Sequence, residues 1–129
     1  MTARPALELT LAGGNAYLPG EEIEGAAAWR AERAPAALEL RLFWFTRGKG
    51  TEDLEIVQRV RFEAPGAVDQ RPFKLRLPDE PYSISGTMVS VSWAVELVAL
   101  PDDRDAARVD IIVAPERRPL VLAELNVER

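Results

Sequence analysis

Three groups of side chains in this sequence have the types and spacing to do chemistry. Carboxylates cluster at Glu21-Glu22, Glu52-Asp53, Asp79-Glu80 and Asp102-Asp103-Arg104-Asp105. Calcium takes roughly six to eight oxygen ligands, and a facing pair of carboxyls can hydrolyse a glycoside. Neither signature is complete, because no calcium-loop pattern of about twelve residues is present and no aromatic-lined cleft is indicated. The second group is the arginines Arg41, Arg59 and Arg61, which alternate with apolar residues and could hold an acidic partner. The third is the apolar series Leu120, Leu122 and Leu125 near the C-terminal end, suited to adding a strand to an open sheet.

The chain has no histidine and no cysteine. That removes Ser-His-Asp and Cys-His nucleophilic catalysis, the usual zinc ligand sets, haem, iron–sulfur clusters and thiol redox chemistry. The expectation is therefore a protein that is not an enzyme, with no catalytic residues, no metal and no cofactor. A net charge of −5 argues against a nucleic-acid partner, since phosphate binding rests on Lys and Arg. At 129 residues one domain is expected, large enough to form a core without a disulfide. The N-terminal Met1-Thr2-Ala3-Arg4-Pro5 leads into an alternating run rather than an apolar signal core. No apolar run nears the ~20 residues that span a bilayer. A cytoplasmic protein with no membrane insertion is expected.

The elements that must position these groups are strands, because period-2 alternation dominates the chain. Leu7, Leu9 and Leu11 share one face. Ile23, Gly25, Ala27 and Trp29 define a second strand, entered through Pro19-Gly20, whose small interior face calls for something bulky opposite. Gly25 marks a bulge or a close approach, with a tryptophan ring the expected neighbour. A third strand carries Leu38, Leu40, Leu42 and Trp44. A fourth, from about Leu54 to Glu63, places Ile56, Val60 and Phe62 inward and Arg59 and Arg61 outward. The fifth puts Phe73, Leu75 and Leu77 on the core face and Lys74 and Arg76 in solvent. After the Pro78 to Pro81 corner comes the longest strand, with Val89, Val91, Trp93, Val95 and Leu97 inward. The seventh holds Val109, Ile111 and Val113. No helix separates them, so the fold class is all-β: an antiparallel two-sheet sandwich. Pro115-Glu116-Arg117-Arg118-Pro119 divides a domain at 1–114 from a tail at 115–129, read as an eighth, edge strand, the alternative being a short helix opened by Pro119.

Three segments together resemble an arrestin-type domain. They are Tyr17-Leu18-Pro19-Gly20-Glu21-Glu22-Ile23-Glu24-Gly25, then Phe73-Lys74-Leu75-Arg76-Leu77-Pro78, and Pro81-Tyr82-Ser83 with Gly86 and the strand to Leu97. The resemblance extends in order from about Leu7 to Val113. It implies an immunoglobulin-like sandwich of seven or eight strands serving as an adaptor or scaffold, as in arrestins, the related retromer subunit and bacterial sporulation-control proteins. Those relatives usually carry two such domains in tandem, so features built between two domains do not carry over to this one.

The strand order usual in such sandwiches puts the first, second and fifth strands in one sheet, and the fourth, third, sixth and seventh in the other. Lys74 and Arg76 then lie across from Glu8, Glu22 or Glu24 as cross-strand ion pairs. Arg41, Arg59 and Arg61 on the larger sheet have fewer acidic neighbours and become the better candidates for a partner. One end gathers Glu21, Glu22, Glu52, Asp53, Asp79 and Glu80; the other puts Asp102, Asp103 and Asp105 near Arg30 and Arg33. Trp44 and Trp93 are expected in the core, and Trp29 and Tyr82 partly exposed. The functional expectation is a non-enzymatic domain that binds a protein partner through a sheet edge or an outer sheet face, with the tail either closing its own domain or making a homodimer. The rival is a carbohydrate- or small-ligand-binding sandwich, which needs exposed aromatics at Trp29, Tyr82 and Tyr17.

Overall fold

Alternating apolar residues form a ladder only where the neighbouring strands keep the same parity, and the registers here do so over most of both sheets. The computed structural model describes residues 4–48, 52–86, 88–101 and 103–121. Seven long strands, β1 (Ala6–Leu11), β3 (Glu22–Arg30), β4 (Ala37–Gly48), β5 (Leu54–Phe62), β6 (Val68–Arg76), β8 (Val89–Leu100) and β9 (Ala106–Val113), carry the fold. Three two-residue strands, β2 (Ala16–Tyr17), β7 (Ile84–Ser85) and β10 (Leu120–Val121), complete it. Among the described residues no helix is long and apolar enough to cross a membrane.

The smaller sheet runs β1-β3-β6, and the larger is built on β5-β4-β8. Because β4 pairs with β8 along its whole length, β7 and β9 both lie on the other edge of β8, β7 at Val91 and β9 from Trp93 to Val98. This is the two-sheet grouping expected from the sequence. Two pairings were not expected and both are parallel: β2 on the end of β9, and β10 on β7.

Ile23, Ala27, Trp29 and Leu75 from the smaller sheet meet Leu38, Leu40, Leu42, Trp93, Val95, Leu97 and Ile111 from the larger in one core. Each fully buried Leu or Ile contributes about 1.5–3 kcal/mol relative to exposure. The bulky residue opposite the small stretch of β3 is Phe73, not a tryptophan. Gly25 and Phe73 are cross-strand partners, and a Cβ on Gly25 would overlap the Thr10 carbonyl oxygen and sit 2.6 Å from Phe73 Cζ. Trp29, expected to be partly exposed, is 3% exposed. β3 is covered on both sides by β1 and β6, its ring lies 5.9 Å from Phe62, and its Nε1 donates to the Gly66 carbonyl at 2.9 Å. Trp44 is half-buried against the same core.

Two strands depart from the alternation read in the sequence. β6 begins at Val68 and runs through Pro72, which an edge strand tolerates because its outer side needs no donor. In β5 the register shifts between Leu42 and Phe43: Gln58 faces Leu42 and Ile56 faces Phe43, leaving Val57 unpaired. Ile56, expected inward, is therefore placed opposite an outward-facing residue, and it is not part of the core.

At the corner before β8, Trp93 Nε1 donates to the Pro81 carbonyl at 2.9 Å and buried Ser83 ties three segments together. Its N–H donates to the Val113 carbonyl (2.7 Å), its Oγ accepts from the Val113 N–H (2.9 Å), and its carbonyl accepts from the Leu120 N–H (2.9 Å). Leu120 thus pairs within its own chain, beside Ile84. Leu122 and Leu125 lie outside the described residues.

Candidate interaction face of the larger sheet

With Leu38, Leu40 and Leu42 inward, the outer face of β4 presents Glu39, Arg41, Phe43, Phe45 and Arg47. Register carries these into rows across the sheet. Arg61, Glu39 and Val98 form one; Arg59, Arg41, Glu96 and Arg108 the next; then Ile56, Phe43, Ala94 and Asp110; then Leu54, Phe45 and Ser92; and last Arg47 and Ser90.

The three arginines singled out from the sequence sit on this face, but they are not short of acidic neighbours. Glu39 accepts from Arg41 at 2.6 Å and lies 3.6 Å from Arg59, while Arg41 also donates to Asp103 at 3.0 Å. Arg61 pairs with Glu63 at 2.8 Å. Partial burial acts to lower the Arg41 pKa, yet the hydrogen bonds to Glu39 and Asp103 raise it above its ordinary value. Arg41 and Arg59 are directly opposite, an unfavourable like-charge pair that Glu39 relieves from the adjoining row. The cluster is a neutralised network rather than a free basic patch. The missed signal was Glu39 itself, two residues before Arg41 and so on the same face of β4.

The next rows hold something the sequence reading passed over. Phe43, which is 4% exposed, and half-buried Phe45 have their ring centroids 6.0 Å apart at an interplanar angle of 34° on the side of β4 away from the core. The Arg108 guanidinium lies 4.7 Å from the Phe45 centroid and 5.5 Å from that of Phe43, and Arg47 lies 5.6 Å above Phe45. Asp110 accepts from Arg108 Nε at 2.8 Å. Each guanidinium–ring contact contributes about 0.5–1 kcal/mol at an exposed site, enough to bias the rotamers of both arginines. The signal was present as parity: Phe43 and Phe45 are out of phase with Leu40, Leu42 and Trp44.

Beside this cluster, in the fork where β7 and β9 both approach β8, lies a groove of about 420 Å³. Its lining includes Phe45 and Arg47 from β4, Ser90 and Ser92 from β8, Ser85 from β7 and Arg108 from β9. A second depression of about 570 Å³ lies on the smaller sheet over Ala26 and Pro72, flanked by the Glu24–Lys74 pair at 3.4 Å.

Three of the loop carboxylates, Glu21, Asp103 and Asp105, have structural partners. Glu21 accepts from the Leu18 N–H at 2.8 Å and from Arg117 at 3.2 Å, fixing the Pro-Gly turn to the root of the tail. Burial, with the Glu21 charge added, pushes the Tyr17 hydroxyl above its usual pKa. Asp103 and Asp105, expected near Arg30 and Arg33, are held instead by Arg41 and by Arg4, the latter at 2.8 Å. Among the described residues no group of three or more acidic side chains is placed to hold a metal ion. Of the aromatics that a sugar-binding site would need, Tyr17 and Trp29 are buried and Tyr82 is 36% exposed.

No family model and no curated protein matches the chain. Among solved structures, the fold is similar to that of Spo0M, a sporulation control protein from Bacillus subtilis. The TM-score is 0.61 at 20% sequence identity, over 87% of this chain and 50% of that one. The chain thus spans half the length of the sporulation control protein. An alkylpurine DNA glycosylase, AlkC, from Pseudomonas fluorescens gives a TM-score of 0.44 at 13% identity, over 87% of this chain and 31% of that one. A superoxide reductase from Ignicoccus hospitalis gives 0.41 at 17% identity, over 87% of this chain and 81% of that one. The first is a likeness of fold, and it agrees with the arrestin-like, immunoglobulin-type sandwich that the sequence motifs implied.

Proposed function

We propose that this domain is a non-enzymatic adaptor or scaffold module that docks a protein partner on the outer face of its larger sheet. The observation that carries the reading is half-buried Phe45, backed by buried Phe43 and held beneath Arg47 and Arg108 on the outer side of the sheet. Aromatic and arginine side chains dominate the energetics of protein interfaces, and here they are fixed on rigid strands rather than on loops. The sheet edges at β5 and β6 are poorer docking places. β5 has unpaired Val57 and the exposed side chains of Arg59 and Arg61, and β6 contains Pro72, all of which hinder the regular addition of a strand. Control by binding is also in keeping with the named role of the sporulation control protein whose fold this chain shares.

The test is affinity capture with the intact chain, with Phe45→Ala, and with the double variant Arg59→Gln/Arg61→Gln. A partner retained by the intact chain and by the arginine variant, and lost with Phe45→Ala while that variant stays folded, is the expected result. Partners held equally by all three proteins would remove the outer face from consideration.

A further inference from the structure

We propose that the groove between β7 and β9 binds an extended acidic peptide segment of the partner protein, with carboxylates received by Arg47 and Arg108; this rests on reading the larger sheet's outer face as the docking surface. The ionisable groups lining the groove are two guanidinium groups and one carboxylate, Asp110, so this site is locally positive in a chain whose net charge is −5. Arg108 donates to Asp110 through Nε, and a guanidinium carries five N–H donors, so its terminal nitrogens are left for an incoming carboxylate. Arg47 is exposed and held over Phe45 by ring stacking, and no carboxylate among the described residues pairs with it. Both cations are thus positioned by an aromatic ring, which limits the side-chain entropy lost when a ligand is bound. The lining adds the hydroxyls of Ser85, Ser90 and Ser92, a group type able to donate to carboxylate or main-chain oxygens. Direction follows from the far side of Phe45, where the adjoining depression is lined by the same two arginines but adds Glu52 and Asp53, which cancel their charge and disfavour an acidic chain there. The segment therefore runs along the β7 side.

The probe is a capped hexaglutamate peptide titrated calorimetrically into the full chain at low ionic strength. Saturable binding is expected that weakens as salt is raised. It should be at least about tenfold weaker in Arg47→Gln/Arg108→Gln and nearly unchanged in Arg59→Gln/Arg61→Gln, as for charge pairs at an interface. Because removing both stacked arginines could disturb the fold, Ser90→Glu provides a second variant: it sets a carboxylate beside Arg47, leaves the stack in place, and should also abolish binding. Absence of hexaglutamate binding, equal losses in the Arg59/Arg61 variant, or the same response from inorganic phosphate at matched charge would overturn the proposal. So would tighter binding at the same residues by a peptide of residues 122–129, which would give the groove to the chain's own tail. Loss of captured partner with Phe45→Ala but no hexaglutamate binding would remove the acidic peptide while leaving the docking face.

Discussion

Trp93 has both a packing and a polar role: its ring is fully buried at the centre of β8 and its Nε1 is satisfied by the Pro81 carbonyl. Trp93→Ala would open a cavity and orphan that carbonyl, so a loss of about 3–5 kcal/mol is expected from urea unfolding curves. Asp69 works differently, as a cap on the turn before β6. The Gly66 and Gln70 N–H groups donate to it at 3.1 and 2.8 Å and hold its carboxyl below the ordinary value of 3.8. A folded pKa below the unfolded one contributes stability that is present above the unfolded value and lost as pH falls through the folded one. Asp69→Asn should therefore show a flatter fall in stability below about pH 4 than the parent chain, measured as thermal midpoint against pH. An acid limb of unchanged steepness would assign that loss to other carboxylates.

At the level of elements, the corner before β8 and the end of β9 stand or fall together because Ser83 joins Val113 and Leu120. Ser83→Ala leaves the Val113 N–H without its hydroxyl acceptor in a buried site, a cost of about 1–3 kcal/mol. Amide exchange should quicken at Val113 and Leu120 together; faster exchange at Leu120 alone would show the hydroxyl to be dispensable. The same elements explain what was legible beforehand. Strand identity and sheet grouping followed from alternation, since residues such as Leu38, Leu40 and Leu42 keep their parity against Leu97 and Val95. The shift at Val57 left only the reversed polarity of Val57 and Gln58 in the sequence, and the extra residue itself exists only relative to β4. The parallel pairs at Tyr17 and Leu120 were likewise hidden, two-residue strands being too short to carry a period. Of the candidate site, the choice of face was legible and the choice of arginines was not. Arg41 and Arg59 could be placed outward from β4 and β5 separately, but their sharing of Glu39 depends on cross-strand register, as does the meeting of Arg108 with Phe45.

For the whole molecule, two sheets close one core, and the proposed function assigns partner binding to one outer face. The smaller sheet offers Ala26, Ala28 and Pro72 between paired charges, a surface with little to anchor a partner. The larger sheet offers half-buried Phe45, backed by buried Phe43, and two guanidinium groups held over it. That asymmetry is most directly tested by hydrogen–deuterium exchange on the full chain, alone and with its captured partner. Protection is predicted in segments 43–47, 90–92 and 108–110, with β1, β3 and β6 unchanged; protection confined to β1, β3 and β6 would contradict the account.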